Sequence, residues 1–145
     1  MRVTVLNGPN LNLLGTREPE IYGTTTLSVI ETMVREEGDR LGVSIRFAQT
    51  NHEGGLIDEI QALPRTADGL ILNAGAYSHT SLAIRDALLA VKIPFVEVHL
   101  TDPSKREEAR RRLVFADLAV EVITGLGPEG YRRALRALYG RLGAK

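Results

Sequence analysis

Five short apolar runs punctuate the chain, over residues 3–6, 43–47, 69–73, 95–99 and 118–123. They are rich in Val, Ile and Leu, and several lack clean alternation, as strands covered on both faces do. Helical spacing separates them. Leu27, Ile30, Val34 and Leu41 fall on one stripe, and Leu56, Ile57, Ile60 and Leu63 on a second that Pro64 is expected to end. Leu82, Ala83, Ala87, Leu88 and Val91 form a third, and Tyr131, Leu135, Leu138 and Leu142 the last. A shorter, highly charged helix is expected from Asp102-Pro103 through residue 112, because Asp is a favoured N-cap and Pro a favoured first helical residue.

Strand and helix thus alternate from end to end. Right-handed crossovers turn that order into a three-layer α/β sandwich with a five-stranded parallel sheet, of flavodoxin-like type. A length of 145 residues predicts a single domain over 1–145. One connection is long: residues 8–25, between the first strand and the first helix, exceed the ~12–15 residues usual for a structureless loop and read as a functional lid.

Composition narrows the chemistry. Lys plus Arg equals Asp plus Glu at 18 each, so bulk charge does not recruit nucleic acid or a membrane surface. Cysteine is absent, which excludes disulfides, thiolate nucleophiles, iron–sulfur clusters and Cys-ligated zinc. No apolar run approaches a membrane span and the first residues do not resemble a signal peptide, so the expected location is the cytoplasm.

The scarce polar residues are not scattered. Ligands of open α/β sheets bind beyond the carboxyl ends of the strands. There the sequence places Asn7, Asn10 and Asn12 after the first strand, Asn51 and His52 after the second, Asn73 and His79 after the third, and Glu97 and His99 at the end of the fourth. Those positions hold every Asn and every His of the chain. A lone His or Asn in a loop is ordinarily a surface or turn residue, but the whole set on one edge points to a site. The three histidines come from three separate loops, without the close spacing of hydrolytic zinc ligands, so no metal is expected. The lid carries Arg17 and Tyr22, and a cation near a phenol stabilises tyrosinate, a base that a closing loop could deliver.

Three other readings fail on the residues. Gly125, Gly127 and Gly130 match a dinucleotide fingerprint, but no strand with an acidic residue follows, so they are expected to form a strand-to-helix turn. A phospho-acceptor domain would place acidic residues where Asn7 and Asn73 stand. A flavin-binding flavodoxin would want a hydroxyl-rich phosphate loop after the first strand, and residues 7–15 make a poor one.

The run LNGPNLNLLGTREPEIYG over residues 6–23 resembles the signature of the type II 3-dehydroquinate dehydratases. So do NHEG at 51–54, NAGAYSHTS at 73–81, EVHLT at 97–101 and GLGPEGY at 125–131. The resemblance spans essentially the whole chain, with the motifs in order. It implies the flavodoxin-like fold, no metal or organic cofactor, and dehydration of 3-dehydroquinate to 3-dehydroshikimate on the shikimate route to aromatic amino acids. The type I route through a lysine Schiff base has no support, because Lys92, Lys105 and Lys145 all stand outside the polar edge.

The same resemblance implies roles. Tyr22 would be the tyrosinate base, with Arg17 lowering its pKa and orienting it. Asn10 would hold a water or donor near the enolate. His99 would be the general acid, with Glu97 supporting its charged form; residues 97 and 99 share one side of a strand. Asn73, Gly75, Ala76, His79, Leu100, Thr101 and Arg110 would anchor the anionic polyol, Leu100 and Thr101 through backbone N–H groups and Arg110 on a ring hydroxyl. Asp86 would reach the site of a neighbouring subunit, Glu53 would be structural around Tyr22 or Arg17, and the assembly would be a dodecamer built from trimers. One departure stands out. Where the family has His-(Ile/Leu)-Ser-Asn, this chain has His99-Leu-Thr-Asp102. The added charge would weaken substrate binding modestly, or leave it unchanged if Asp102 caps the following turn. Two alternatives belong to other classes: a non-catalytic polyol-binding module on the same fold, and a metal-dependent lyase or hydrolase using the three histidines.

Overall fold

The apolar runs become five strands: β1 (Arg2–Asn7), β2 (Ser44–Gln49), β3 (Gly69–Asn73), β4 (Phe95–His99) and β5 (Glu121–Thr124). All pair in parallel, in the order β2-β1-β3-β4-β5. The structure is a computed structural model that describes residues 1–16 and 18–143, and of Tyr22 the backbone. Its helices are α1 (Pro19–Tyr22), α2 (Leu27–Leu41), α3 (Glu53–Thr66), α4 (Leu82–Val91), α5 (Glu108–Arg111) and α6 (Glu129–Gly143). Among the described residues no helix is long and apolar enough to cross a membrane.

Two cores form because β-strand side chains alternate between faces. Val3, Val5, Ile71, Val96 and Val98 leave one face and meet Ile30 and Val34 of α2 and Leu135 and Leu138 of α6. Leu6, Leu70, Leu72 and Phe95 leave the other and meet Leu56, Ile60 and Leu63 of α3 and Ile84 and Leu88 of α4. This is the expected three-layer sandwich. Burial on both sides explains why every residue of β3 and β4 is buried, the site residues Asn73, Glu97 and His99 included, and why their other positions are almost all apolar.

Local expectations are corrected in four places. Pro64 does not end its helix: it sits in the last turn of α3, which continues to Thr66 and closes with the Ala67 N–H on the Leu63 carbonyl. On α4 the buried stripe is Ile84, Ala87 and Leu88, while Leu82 is 60% exposed. The run expected over 118–123 divides into a 3-10 turn (Ala116–Leu118) and the shorter β5. The charged helix after Asp102 divides as well, into a 3-10 turn (Pro103–Lys105) and the four-residue α5. The long connection after β1, expected as a lid, holds a 3-10 turn (Leu11–Leu13) and α1.

The sheet order reverses between β1 and β3, whose chains leave toward opposite sides and open a crevice at their carboxyl ends. The two exits touch backbone to backbone. The Gly8 N–H donates to the Asn73 carbonyl at 2.8 Å, and a Cβ on Gly8 would stand 2.4 Å from the Ala74 oxygen.

Candidate active site

The crevice at the switch point is lined by Asn10, Asn73, Gly75, Ala76, His79, His99, Leu100, Thr101 and Arg110, with Pro9, Leu11, Pro103 and Arg106. Nine of the residues singled out in the sequence therefore share one cavity. Glu97 lies behind His99, fully buried. Asp86 is exposed on α4 and does not line the cavity. Arg17 lies outside the described residues, as does the side chain of Tyr22. Glu53, half-buried, is the first residue of α3.

His99 and Glu97 form the floor. Two positions apart on β4, they share one side of the strand. The Nε2 of His99 lies 2.5 Å from the Glu97 Oε2, at 7% and 0% exposure. A carboxylate only accepts, so Nε2 carries the proton in this contact and Nδ1 is the ring nitrogen left for other partners. The second oxygen, Oε1, is buried and has no partner among the described residues. A carboxylate held in this way is costly to bury. Its cost is offset in function if it orients a working imidazole.

His79 stands beside His99, ring centroids 6.2 Å apart. Its Nδ1 lies 2.9 Å from the Arg112 carbonyl, which only accepts, so Nδ1 bears the proton. Burial holds the His79 pKa below the usual histidine value, with the nearby His99 and Arg110 acting in the same direction against that hydrogen bond. Neutral His79 therefore offers Nε2 as an acceptor.

The wall after β4 is fastened from behind. The Gly127 N–H donates to the Leu100 carbonyl at 2.9 Å and the Gly125 N–H to the Thr101 carbonyl at 3.1 Å. Within a peptide unit C=O and N–H are opposed, so the Thr101 N–H faces away from the glycine turn. Both glycines take positive φ, the conformation their lack of a Cβ permits. The glycine run is thus the expected strand-to-helix turn. Asp102 caps its own turn, accepting from the Ser104 N–H at 3.0 Å and the Ser104 hydroxyl at 2.7 Å. Its side chain is engaged there and is not part of the cavity lining.

The asparagines divide their labour. The Asn51 Oδ1 accepts from the Asn10 N–H and from the Gln49 side chain, both at 3.0 Å, fixing the loop that carries Asn10. Asn12 accepts from the same Gln49 amide at 3.3 Å. Asn7 is fully buried below the cavity. His52 is exposed and does not line the crevice, because β2 is an edge strand, one removed from the switch point.

Arg106 lines the cavity beside Arg110 and donates from Nη1 to the Thr101 hydroxyl at 3.3 Å, yet the sequence analysis did not single it out. Its distinguishing mark is a low exposure that only the fold reveals: 19%, against about half for the surface arginines Arg2, Arg46 and Arg136. Among the described residues no group of three His, Asp or Glu side chains is placed to hold a metal ion.

A doubly wound parallel sheet with two arginines, two histidines and a buried carboxylate at its switch point defines an α/β protein whose crevice stands where open sheets of this kind bind their ligands. The chain belongs to the class II dehydroquinase family, whose model matches residues 1–139. It is 54% identical over 138 residues to the 3-dehydroquinate dehydratase of Bordetella pertussis, covering 93% of this chain and 94% of that one. It is 51% identical over 144 residues to the 3-dehydroquinate dehydratase of Dinoroseobacter shibae, covering 99% and 96%. The crystal structure of the type II dehydroquinase from Butyrivibrio crossotus superposes with a TM-score of 0.92 at 41% identity, over 95% of this chain and 97% of that one.

Proposed function

We propose that this chain eliminates water from 3-dehydroquinate to give 3-dehydroshikimate, the activity for which its bacterial relatives are named. The observation that carries the reading is the Glu97–His99 pair, buried at the floor of a cavity whose wall bears Arg106 and Arg110. An elimination beside a ketone needs a base, a stabiliser for the enolate and an acid for the departing hydroxyl. Tyr22, as tyrosinate, removes the proton alpha to the ketone, with Arg17 supplying the charge that keeps the phenol ionised. Asn10 holds a donor or water near the developing enolate oxygen. His99, oriented through Nε2 by Glu97, gives its Nδ1 proton to the β-hydroxyl. The C–O bond breaks as the C=C bond forms, and water leaves. Tyr22 ends protonated and His99 neutral, and exchange with solvent resets both.

The remaining cavity residues hold the substrate. Asn73, Gly75, Ala76 and the backbone N–H groups of Leu100 and Thr101 receive the carboxylate and its neighbours. Arg110 takes a ring hydroxyl, and neutral His79 accepts from another through Nε2. The working form is a homo-oligomer, a dodecamer built from trimers. Leu82 and Leu89 are exposed at helical spacing on α4, and the stripe they share with Asp86 suits a subunit contact that carries Asp86 to a neighbour's site.

The test is an ultraviolet assay for the conjugated enone formed from 3-dehydroquinate, run with and without EDTA. An enone signal unaffected by chelator is the expected result. Loss of the signal with EDTA would replace this reading with a metal-dependent one. Tight binding of substrate with no enone at all would make the chain a binding module.

A further inference from the structure

We propose that Tyr131 is a positioning residue: its buried hydroxyl sets the direction of the Asn73 amide, so that Asn73 presents an N–H to the ligand and selects an acceptor atom there. The inference rests on the dehydratase reading for its kinetic test only.

Tyr131 lies on the first turn of α6, two residues beyond Glu129, and is fully buried. Its hydroxyl donates to the Asn7 Oδ1 at 2.6 Å and accepts from the Asn73 Nδ2 at 2.9 Å. A hydroxyl has one proton, so donating to Asn7 leaves only its lone pairs for Asn73. Both ends of this chain of bonds are fixed by backbone groups that cannot reverse. The Asn7 Nδ2 donates to the Ala48 carbonyl at 3.1 Å, which forces Asn7 to turn Oδ1 toward Tyr131. The Gly75 N–H donates to the Asn73 Oδ1 at 3.2 Å, which forces Asn73 to turn Nδ2 toward Tyr131. Only one polarity satisfies all four bonds. The Asn73 oxygen is then engaged, and its second Nδ2 proton is what a ligand in the cavity meets. Burial also pushes the Tyr131 phenol well above its usual pKa, so the hydroxyl keeps its proton across the working range.

The test is a double-mutant cycle on the full chain with 3-dehydroquinate. Tyr131→Phe keeps the ring and removes both bonds. It is expected to raise KM about tenfold, the worth of one well-placed hydrogen bond, with kcat changed less than about threefold. Asn73→Ala raises KM at least as much, and adding Tyr131→Phe to it changes KM no further. Effects that multiply in the double variant overturn the proposal, because a packing role would add. A second measurement needs neither turnover nor a variant. In the wild-type protein with 15N-labelled asparagine, one Asn73 side-chain amide proton should exchange slowly with water and its twin rapidly. Equal, fast exchange of both overturns the proposal even if Tyr131→Phe fails to fold. A wild-type chain that forms no enone overturns the dehydratase reading instead, and the exchange measurement still decides the relay.

Discussion

His99 depends on a carboxylate that nothing else in the described structure fully uses: one oxygen of Glu97 meets the imidazole and the other is buried without a partner among the described residues. That arrangement makes the pair sensitive to small chemical changes. His99→Ala is expected to lower kcat about 10²–10⁴-fold, the usual worth of a positioned acid, with KM changed far less. Steady-state kinetics on 3-dehydroquinate would check this, and a fall in kcat under about tenfold would remove His99 from the acid role. Tyr22→Phe should abolish turnover to a similar degree while a substrate analogue still binds, measurable by calorimetry. At this scale the sequence was informative where residue type and place coincide. Asn10, Asn73, His79 and His99 were legible because scarce polar residues followed buried strands, and all four line the cavity. His52 obeyed the same rule and lies outside it, since the rule says nothing of which strands flank the switch point. Arg106 was hidden among many other arginines, because no local pattern distinguishes a largely buried guanidinium from a solvated one.

Among the elements, β1, β3 and β4 were readable because burial on both faces puts Val, Ile, Leu or Phe at adjacent and alternate positions alike, with few polar residues among them. β5 was less so: it is an edge strand with Glu121 and Val122 exposed, and Leu118 packs against the core from a 3-10 turn outside it. The α4 stripe was misplaced because its exposed side also carries Leu82 and Leu89, so periodicity alone fits two faces. The contact between the exits of β1 and β3 yields a prediction that belongs here. Gly8→Ala would drive a methyl into the Ala74 carbonyl, a backbone group that cannot swing aside. A loss of about 1–3 kcal/mol in stability is expected, read from denaturant unfolding, with weaker substrate binding as the two exits part. An unchanged midpoint would mean that the exits slide apart at no cost.

For the whole molecule, one charge cluster ties together two helices that lie side by side on one face of the sheet. Glu37 on α2 is buried among Arg40 of its own helix and Arg132 and Arg136 of α6. Hydrogen bonds from Arg40 and then Arg136 hold its pKa down to about 2, from an ordinary 4.5. A depressed carboxylate stabilises the fold above its ordinary value, and that stability is lost as pH falls from 4.5 toward 2. The melting temperature should therefore decline across that window, and Glu37→Gln should flatten the decline. A variant as acid-sensitive as the parent would show that the cluster does not govern it. Assembly gives the other test at this scale. Leu82→Glu places a charge in the exposed stripe of α4 and is expected to yield smaller particles by light scattering and lower activity, with the fold intact by circular dichroism.

The glycine turn and Tyr131 bond to parts of the crevice made much earlier in the chain: Tyr131 to Asn7 across 124 positions, Gly125 and Gly127 to the peptides after β4. Translation therefore delivers every wall of the cavity before it delivers the clasp. Until residues 125–131 leave the ribosome, the nascent chain lacks both the Tyr131 hydroxyl that bridges Asn7 and Asn73 and the glycine N–H groups that fasten the peptides after β4.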